Sequence, residues 1–420
     1  MKKILIILIL TIFCSLYLFP IRLRVMPTVN SKMLMAVVGV MLYSWEHIKT
    51  QKLTIRREAF LPILWGVLFS LISYISVVYN NTTDYVYVTY FASMCTWLGG
   101  AYCLIYMIRR FYGRATYDIL FGYMAFMCLG QCILAILIDN SPQFAQFVSS
   151  IIVQVDLEYF DKAPRLYGIG AAFDTAGIRF SCVLLALAYL IDRTDDNTKK
   201  VLYITFMLII TVIGNMISRT TTVGCAIALF YLLLSNMSWL NAYITSKKML
   251  RAISLVVIFF IIIYWGNFLY VNNVAFSQAF DYGFEGFINL FKNGEFSTTS
   301  SDMLFHGLSS EDLFPDEIKT WVIGDGYFQN PYNPAYFYAP TDSGYIVFIY
   351  YCGLVGLLTF IPIFITSTYG LCKREQNLTF FYVLLLLIQL LVWIKIPTDI
   401  FCFYSILLLS DGQKKIAVRY

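Results

Sequence analysis

Charge is the scarcest property of this 420-residue sequence. Only 13% of the residues are charged, against about 25% in a typical soluble domain. Meanwhile 59% are hydrophobic and the mean hydropathy is +0.71. A buried core does not need so much apolar sequence, so the excess has to face lipid. That excludes a soluble enzyme, a disordered chain and a collagen-like chain. Histidine is nearly missing, with 2 in the chain, and neither an HExxH pattern nor a metal-ligand cluster occurs. Cysteine is present (10 residues) but is lacking from the long polar loops, where a disulfide framework would place it. The cysteines lie in or beside apolar runs and read as small buried hydrophobes. Cys128 and Cys132 share a helix face, but no His or acidic residue stands near them in sequence.

What the sequence does have is a succession of apolar runs. Lys2 and Lys3 precede the first, and no small-x-small cleavage site follows it, so an uncleaved span is expected. The expected spans are 4–19, 33–47, 60–79, 86–108, 119–138, 178–191, 201–217, 222–240, 252–270, 343–366, 378–394 and 396–410. The second and the last are shorter than the roughly 20 residues that a bilayer core needs, so 11 or 12 spans are expected. The fold class expected is an all-α polytopic membrane protein with both termini inside. That orientation places 20 of the 30 basic residues inside but only 8 of the 25 acidic ones, as the positive-inside rule requires.

Two outside connections are long, 139–177 and 271–342, and loops of this length in a compact protein are usually functional. With no linker, repeat or low-complexity tract, residues 1–420 read as one polytopic domain. Phe144, Phe147, Val148, Ile151, Ile152 and Val155 in the first loop follow helical spacing. So do Phe276, Phe280, Phe284, Phe287 and Phe291 in the second. Both read as short helices, lying in the membrane interface or packed on the bundle as ordinary core. Ser309 and Asp312 suit a cap ahead of Pro315.

The middle of every expected span lacks Asp, Glu, Lys and Arg. Ion-coupled carriers keep such groups near the midplane, often on broken helices in two matched halves. Here the polar chemistry gathers at the outer surface, which favours an enzyme over a carrier. Arg165, Arg179 and Arg219 all fall near the outer boundary, at the depth of a lipid phosphate. Guanidinium forks suit phosphate oxygens; the plain alternative is snorkelling or pairing with carboxylates such as Asp161 and Asp174. His306, the only outside histidine, stands near Ser300, Ser301 and Asp302 and suits a general base, or else is a solvated loop residue. His47, at an inner edge, has no assigned role. From Tyr327 to Tyr338, 6 of 12 residues are aromatic. Tyr327, Tyr332, Tyr336 and Tyr338 suit stacking on sugar rings or an interfacial aromatic belt equally.

The order of three patterns resembles the O-antigen polymerases (the Wzy type), within the O-antigen ligase and polymerase superfamily. They are Gly177-Ile178-Arg179-Phe180-Ser181 after the first loop and Ser218-Arg219-Thr220-Thr221 between two spans. The third is Ile323-Gly324-Asp325-Gly326-Tyr327, followed by Thr341-Asp342-Ser343-Gly344-Tyr345-Ile346 and Gly353-Leu354-Val355-Gly356-Leu357-Leu358. The topology matches over nearly the whole chain and the motifs over about a tenth of it. In some members an Arg is followed eleven positions later by Gly in both loops; here Arg165 precedes Gly177 by one position more. The second loop holds no Arg, only Lys292 and Lys319.

The resemblance implies a multi-pass protein of the bacterial cytoplasmic (inner) membrane with two periplasmic loops. It implies an oligosaccharide unit on undecaprenyl diphosphate as substrate, and polymerisation into O-antigen or capsular-type polysaccharide. A flippase and a chain-length regulator would be partners in the pathway. It further implies that Arg179 and Arg219, with Arg165 or Lys319, hold the diphosphate, and that His306, Asp342 or Asp325 takes the acceptor proton. No cofactor, metal or nucleic acid is expected. Two other readings stand beside it: a ligase moving finished glycan onto lipid A core or protein, and a flippase or other carrier of the lipid-linked unit.

Overall fold

In a computed structural model the described residues are 2–50, 56–153, 165–235, 264, 267–295, 297–299, 302, 313–334 and 336–413. They are mostly helical, and they divide into two compact units, each made of two stretches of chain. The first unit is Met1–Asn30 with Asp118–Phe296, and the second is Ser31–Tyr117 with Ser297–Tyr420.

The first unit opens with α1 (Lys2–Leu18) and a small antiparallel hairpin, β1 (Arg22–Leu23) and β2 (Met26–Asn30). Then follow α5 (Tyr117–Asn140), α6 (Pro142–Ile151), α7 (Phe173–Arg193), α8 (Asn197–Ile217), α9 (Thr220–Ser235) and α10 (Val274–Asn293). Helix α7 is central: every residue from Phe180 to Ile191 is buried, as expected of a helix that is apolar all round. It is crossed by α9 at close range, because Gly224 lets the backbone lie against Ser181, where a Cβ would overlap the Ser181 Cα. Small residues at such crossings are how helices pack without a hydrophobic drive between them.

The second unit contains α2 (Ser31–Thr50), α3 (Phe60–Tyr79), α4 (Tyr90–Tyr112), α11 (Ile318–Val322), α12 (Gly344–Arg374), α13 (Thr379–Val392) and α14 (Phe401–Leu409). Its core is aromatic. Phe69, Phe348 and Trp393 surround the Phe360 ring at 4.5, 4.5 and 4.9 Å.

Six helices are long and apolar enough to cross a membrane among the described residues: Arg57–Tyr79, Tyr90–Tyr112, Tyr117–Asn140, Phe173–Arg193, Asn197–Ile217 and Gly344–Arg374. On α3 the residues Leu61, Leu64, Leu68, Leu71, Ile75 and Val78 are exposed, while Gly66, Phe69, Ser73 and Ser76 are buried. An exposed leucine stripe at helical spacing, opposite buried small and polar residues, is a face built for lipid.

Helices occupy the stretches expected as spans as far as these are described; most of the expected span 252–270 and the end of 222–240 lie outside the described residues. The expected span 396–410 differs. Only Phe401–Leu409 is helical, a 9-residue helix about 14 Å long, against a hydrocarbon core of about 30 Å. Pro397 interrupts the chain before it, and buried Gln389 bonds the freed backbone. Its Nε2 donates to the Thr398 carbonyl at 3.0 Å, and its Oε1 accepts from the Ile400 amide at 2.8 Å. A broken segment at membrane depth needs this kind of internal partner.

Both expected loop helices are present. α6 begins at Ser141, whose hydroxyl accepts from the Phe144 amide, with Pro142 at its first position; Val155 lies outside the described residues. α10 begins at Asn273, whose side chain accepts from the Phe276 amide, and ends at left-handed Gly294. The phenylalanine stripe on α10 divides: Phe276 is buried together with Ala279, Gly283 and Gly286, whereas Phe291 is 87% exposed.

Candidate functional site

The first unit brings two of the three sequence patterns together. Gly177, early in α7, lies against the Ser218 side chain, where a Cβ would come within 2.8 Å of the Ser218 Cβ. The Ser181 hydroxyl donates to the Thr220 carbonyl at 2.9 Å. The turn Ser218–Arg219 is held from the other side by Asp174, whose carboxylate accepts from the Ser218 and Thr220 hydroxyls at 2.8 and 2.6 Å. Both hydroxyls flank Arg219, so its backbone is pinned before its side chain makes any contact.

That side chain reaches α10. Its Nε donates to the Tyr282 carbonyl at 2.9 Å, its terminal nitrogen pairs with the Glu285 carboxylate at 2.6 Å, and its guanidinium carbon sits 3.9 Å from the Tyr282 ring centroid. Only 12% of the side chain is exposed. Arg165 approaches the same ring, at 4.5 Å. Its segment is fixed by the Leu166 amide bonding the Met216 carbonyl at 3.2 Å. Farther along, Gln131 clasps Ile169, donating to its carbonyl and accepting from its amide, each at 2.9 Å. Two guanidiniums thus meet on one tyrosine ring, with the Glu285 carboxylate on Arg219 and the Asp174 carboxylate on the hydroxyls either side of it. Each cation–ring contact is worth about 0.5–2 kcal/mol, depending on desolvation.

Arg179, two residues past Gly177, lies 5.7 Å from the Phe19 ring. It borders a cavity of about 600 Å³ whose walls are the hairpin, the end of α6 and the segment from Tyr167 to Thr175. Arg22, on β1, borders it too. The hairpin is extended here by residues 151–153, since the Arg24 amide donates to the Ile151 carbonyl and the Val153 amide to the Arg22 carbonyl, at 2.9 and 2.8 Å.

The third pattern, in the second unit, forms a backbone clasp. Gly353 interrupts α12 with φ of +68°, leaving carbonyls of the preceding turn without helical partners. The amides of Asp325 and Gly326 donate to the carbonyls of Tyr350 and Tyr351 at 2.6 and 3.0 Å. Ser76 also donates to Tyr351, at 2.7 Å. Gly324, itself at φ +81°, allows the approach. The Asp325 carboxylate binds Lys319 at 2.6 Å and the Thr320 hydroxyl at 2.8 Å. Lys319 in turn donates to the Asn80 side chain at 2.8 Å. Burial opposes the charge on Lys319, but the hydrogen bond and charge of Asp325 outweigh it and hold its pKa above the ordinary value.

Of the tyrosines, Tyr327 and Tyr338 pair at 5.3 Å. Tyr332 and Tyr336 stand at the tip of the same loop, 96% and 69% exposed. The loop is closed by the Tyr338 amide on the Phe328 carbonyl and by Asp84, which accepts from the Phe328 amide at 2.8 Å. Asp342 is exposed just before α12. His306 lies outside the described residues, as do Ser300, Ser301, Ser309, Asp312 and Asp161.

Arg165, Arg179 and Arg219 thus belong to one unit, and Lys319, Asp325, Asp342 and the four tyrosines to the other. Sequence reading missed Tyr282, Glu285 and Arg22. Tyr282 and Glu285 stand three apart on an otherwise phenylalanine-rich helix, which is the signal that was available. No group of three or more His, Cys, Asp or Glu able to hold a metal occurs among the described residues. The ten cysteines are free, and seven of them are buried.

The apolar helices make this chain a helical membrane protein. Compared with family models, with curated proteins and with solved structures, it matches none.

Proposed function

We propose that this protein is a bacterial inner-membrane glycan polymerase, spanning the membrane 11 or 12 times with both termini inside and its two large loops in the periplasm. It joins oligosaccharide repeat units carried on undecaprenyl diphosphate. The observation that supports this reading is the convergence of Arg165 and Arg219 on Tyr282, beside the Gly177–Ser181 stretch of α7 that carries Arg179.

In the reaction the acceptor hydroxyl oxygen attacks the anomeric carbon of the donor glycan. A new glycosidic bond forms, the bond to the diphosphate oxygen breaks, and the acceptor proton passes to a base. The diphosphate is already a good leaving group, so the requirement is for fixed positive charge where its negative charge develops. Arg219 is prefixed by its ring, carbonyl and carboxylate contacts, and Arg165 and Arg179 supply further forks. At ~4 Å and an effective dielectric near 20, one unit-charge pair is worth roughly 4 kcal/mol before desolvation. Lys319 is the alternative cation. The base is assigned to His306 or Asp342; Asp325 is the weaker candidate because Lys319 and Thr320 already hold its carboxylate. The tyrosine loop, with Tyr332 and Tyr336 at its tip, is assigned to the sugar.

The test is genetic. In a strain depleted of the protein, single-unit lipid-linked glycan should accumulate and long polysaccharide vanish. Accumulation of long carrier-linked polymer would instead indicate a ligase, and inward-facing single units a flippase. Arg179→Ala and Arg219→Lys at normal protein levels should each cut long-chain product at least roughly tenfold, the effect of one lost charge-assisted contact. Unchanged product from both would overturn the diphosphate assignment, and full polymerisation by His306→Ala would pass the base to Asp342.

A further inference from the structure

The second unit carries a basic pocket that the proposed reaction does not use. It lies at the far end of α4, which finishes Arg109-Arg110-Phe111-Tyr112-Gly113-Arg114, with Gly113 left-handed at φ +75° as its cap. The pocket holds about 330 Å³ and is bordered by Arg109, Arg114, Thr116, Asp411 and Gln413.

Its floor is rigid. Arg109 grips Asp411 with two hydrogen bonds, Nε at 3.0 Å and a terminal nitrogen at 2.6 Å. The Ala115 amide donates to the same carboxylate at 2.8 Å. Arg56 stands 3.6 Å from it and donates to the Ser410 carbonyl at 3.2 Å. Burial works against ionisation of Asp411, but these donors outweigh it and hold its pKa below the ordinary carboxylate value. The carboxylate is therefore an anion already neutralised by Arg109 and Arg56. Arg114 is left as surplus positive charge at the rim, exposed to whatever lies outside.

The depth of the pocket identifies what that is. Phe111 and Tyr112, next to it on α4, are exposed aromatic residues at the end of a helix long and apolar enough to cross a membrane. Aromatic side chains in that position mark the level of the lipid headgroups. A polar cavity with surplus guanidinium charge at this level matches a phosphodiester. The distribution of basic residues along the sequence assigns this helix end to the inside, where anionic lipids concentrate.

We propose that the pocket holds the phosphate of an anionic phospholipid headgroup, with Arg114 as its principal cation and Arg109 and Thr116 as fixed donors. The site is independent of the polymerase reading.

Full-length protein in a neutral detergent would be analysed by native mass spectrometry with phosphatidylglycerol, with phosphatidylcholine, and with inorganic phosphate. Phosphatidylglycerol should be retained in preference to phosphatidylcholine. Arg114→Ala should reduce that retention roughly fivefold, the effect of one basic residue at an anionic surface. Arg57→Ala, an exposed arginine that does not border the pocket, should not. Equal retention by Arg114→Ala and the parent overturns the site, as does equal loss in Arg57→Ala. Competition by millimolar phosphate as strong as by the lipid overturns the lipid assignment in favour of a free anion. Thermal unfolding in phosphatidylcholine checks that Arg114→Ala is folded. Thr116→Val should weaken binding without changing that unfolding, and unchanged binding removes Thr116 from the site.

Discussion

At Arg219 a positive charge is held in three ways at once, by a ring, a carbonyl and a carboxylate, all from α10. The sequence marks Arg219 only by contrast, as a base on the side where bases are scarce. It does not mark Tyr282 or Glu285, because their pairing depends on how α10 crosses the turn after α8. Lys319 is similar: its identity is legible, its carboxylate partner is not. Because the folded pKa of Lys319 is raised, its contribution to stability is fully present below the unfolded value of 10.5 and is lost as pH rises through the folded value. Unfolding in detergent between about pH 8 and 11.5 should show this. The parent should lose its advantage over Lys319→Met in the alkaline limb, and the two curves should run parallel below pH 9. Parallel curves throughout would mean that the ion pair contributes no pH-linked stability.

Among the elements, α12 is where sequence and structure part most clearly. Its apolar run reads as one span, and Gly353 reads as one more glycine in a membrane helix. In the structure Gly353 is a break, and the Gly324–Gly326 turn supplies the amides that the broken helix needs. Two motifs 27 positions apart are therefore one device. Apolar periodicity cannot reveal such a break, because the residues on both sides remain hydrophobic. A side chain at position 353 would face both an unfavourable φ and overlap with the Val322 carbonyl. Gly353→Ala should therefore lose about 2 kcal/mol or more, read as a lowered midpoint of thermal unfolding. Gly370→Ala, in the same helix with ordinary backbone angles, serves as comparison. The short α14 follows the same logic: Pro397 is visible in sequence, but the buried amide of Gln389 that bonds the break is not.

For the whole molecule, the few charges carry most of what can be read in advance. Their sorting predicts the orientation, and reporter fusions provide the check. A fusion after Gly113 should be active with a cytoplasmic reporter and a fusion after Glu295 with an exported one; the reverse pattern would invert the topology and move the proposed phospholipid site to the other leaflet. The division into two units is hidden from any linear reading, because each unit is assembled from two separated stretches and no linker divides them. What the sequence determined by itself is the class of environment and the helices. Transfer free energy acts residue by residue and helical periodicity over a few turns, so both are written locally. The tertiary structure alone decided which arginines share a ring, which carboxylate each cation meets and where a helix breaks. Those outcomes depend on backbones approaching at Gly177, Gly224 and Gly353, between residues distant in sequence, and close packing is a property of pairs rather than of positions.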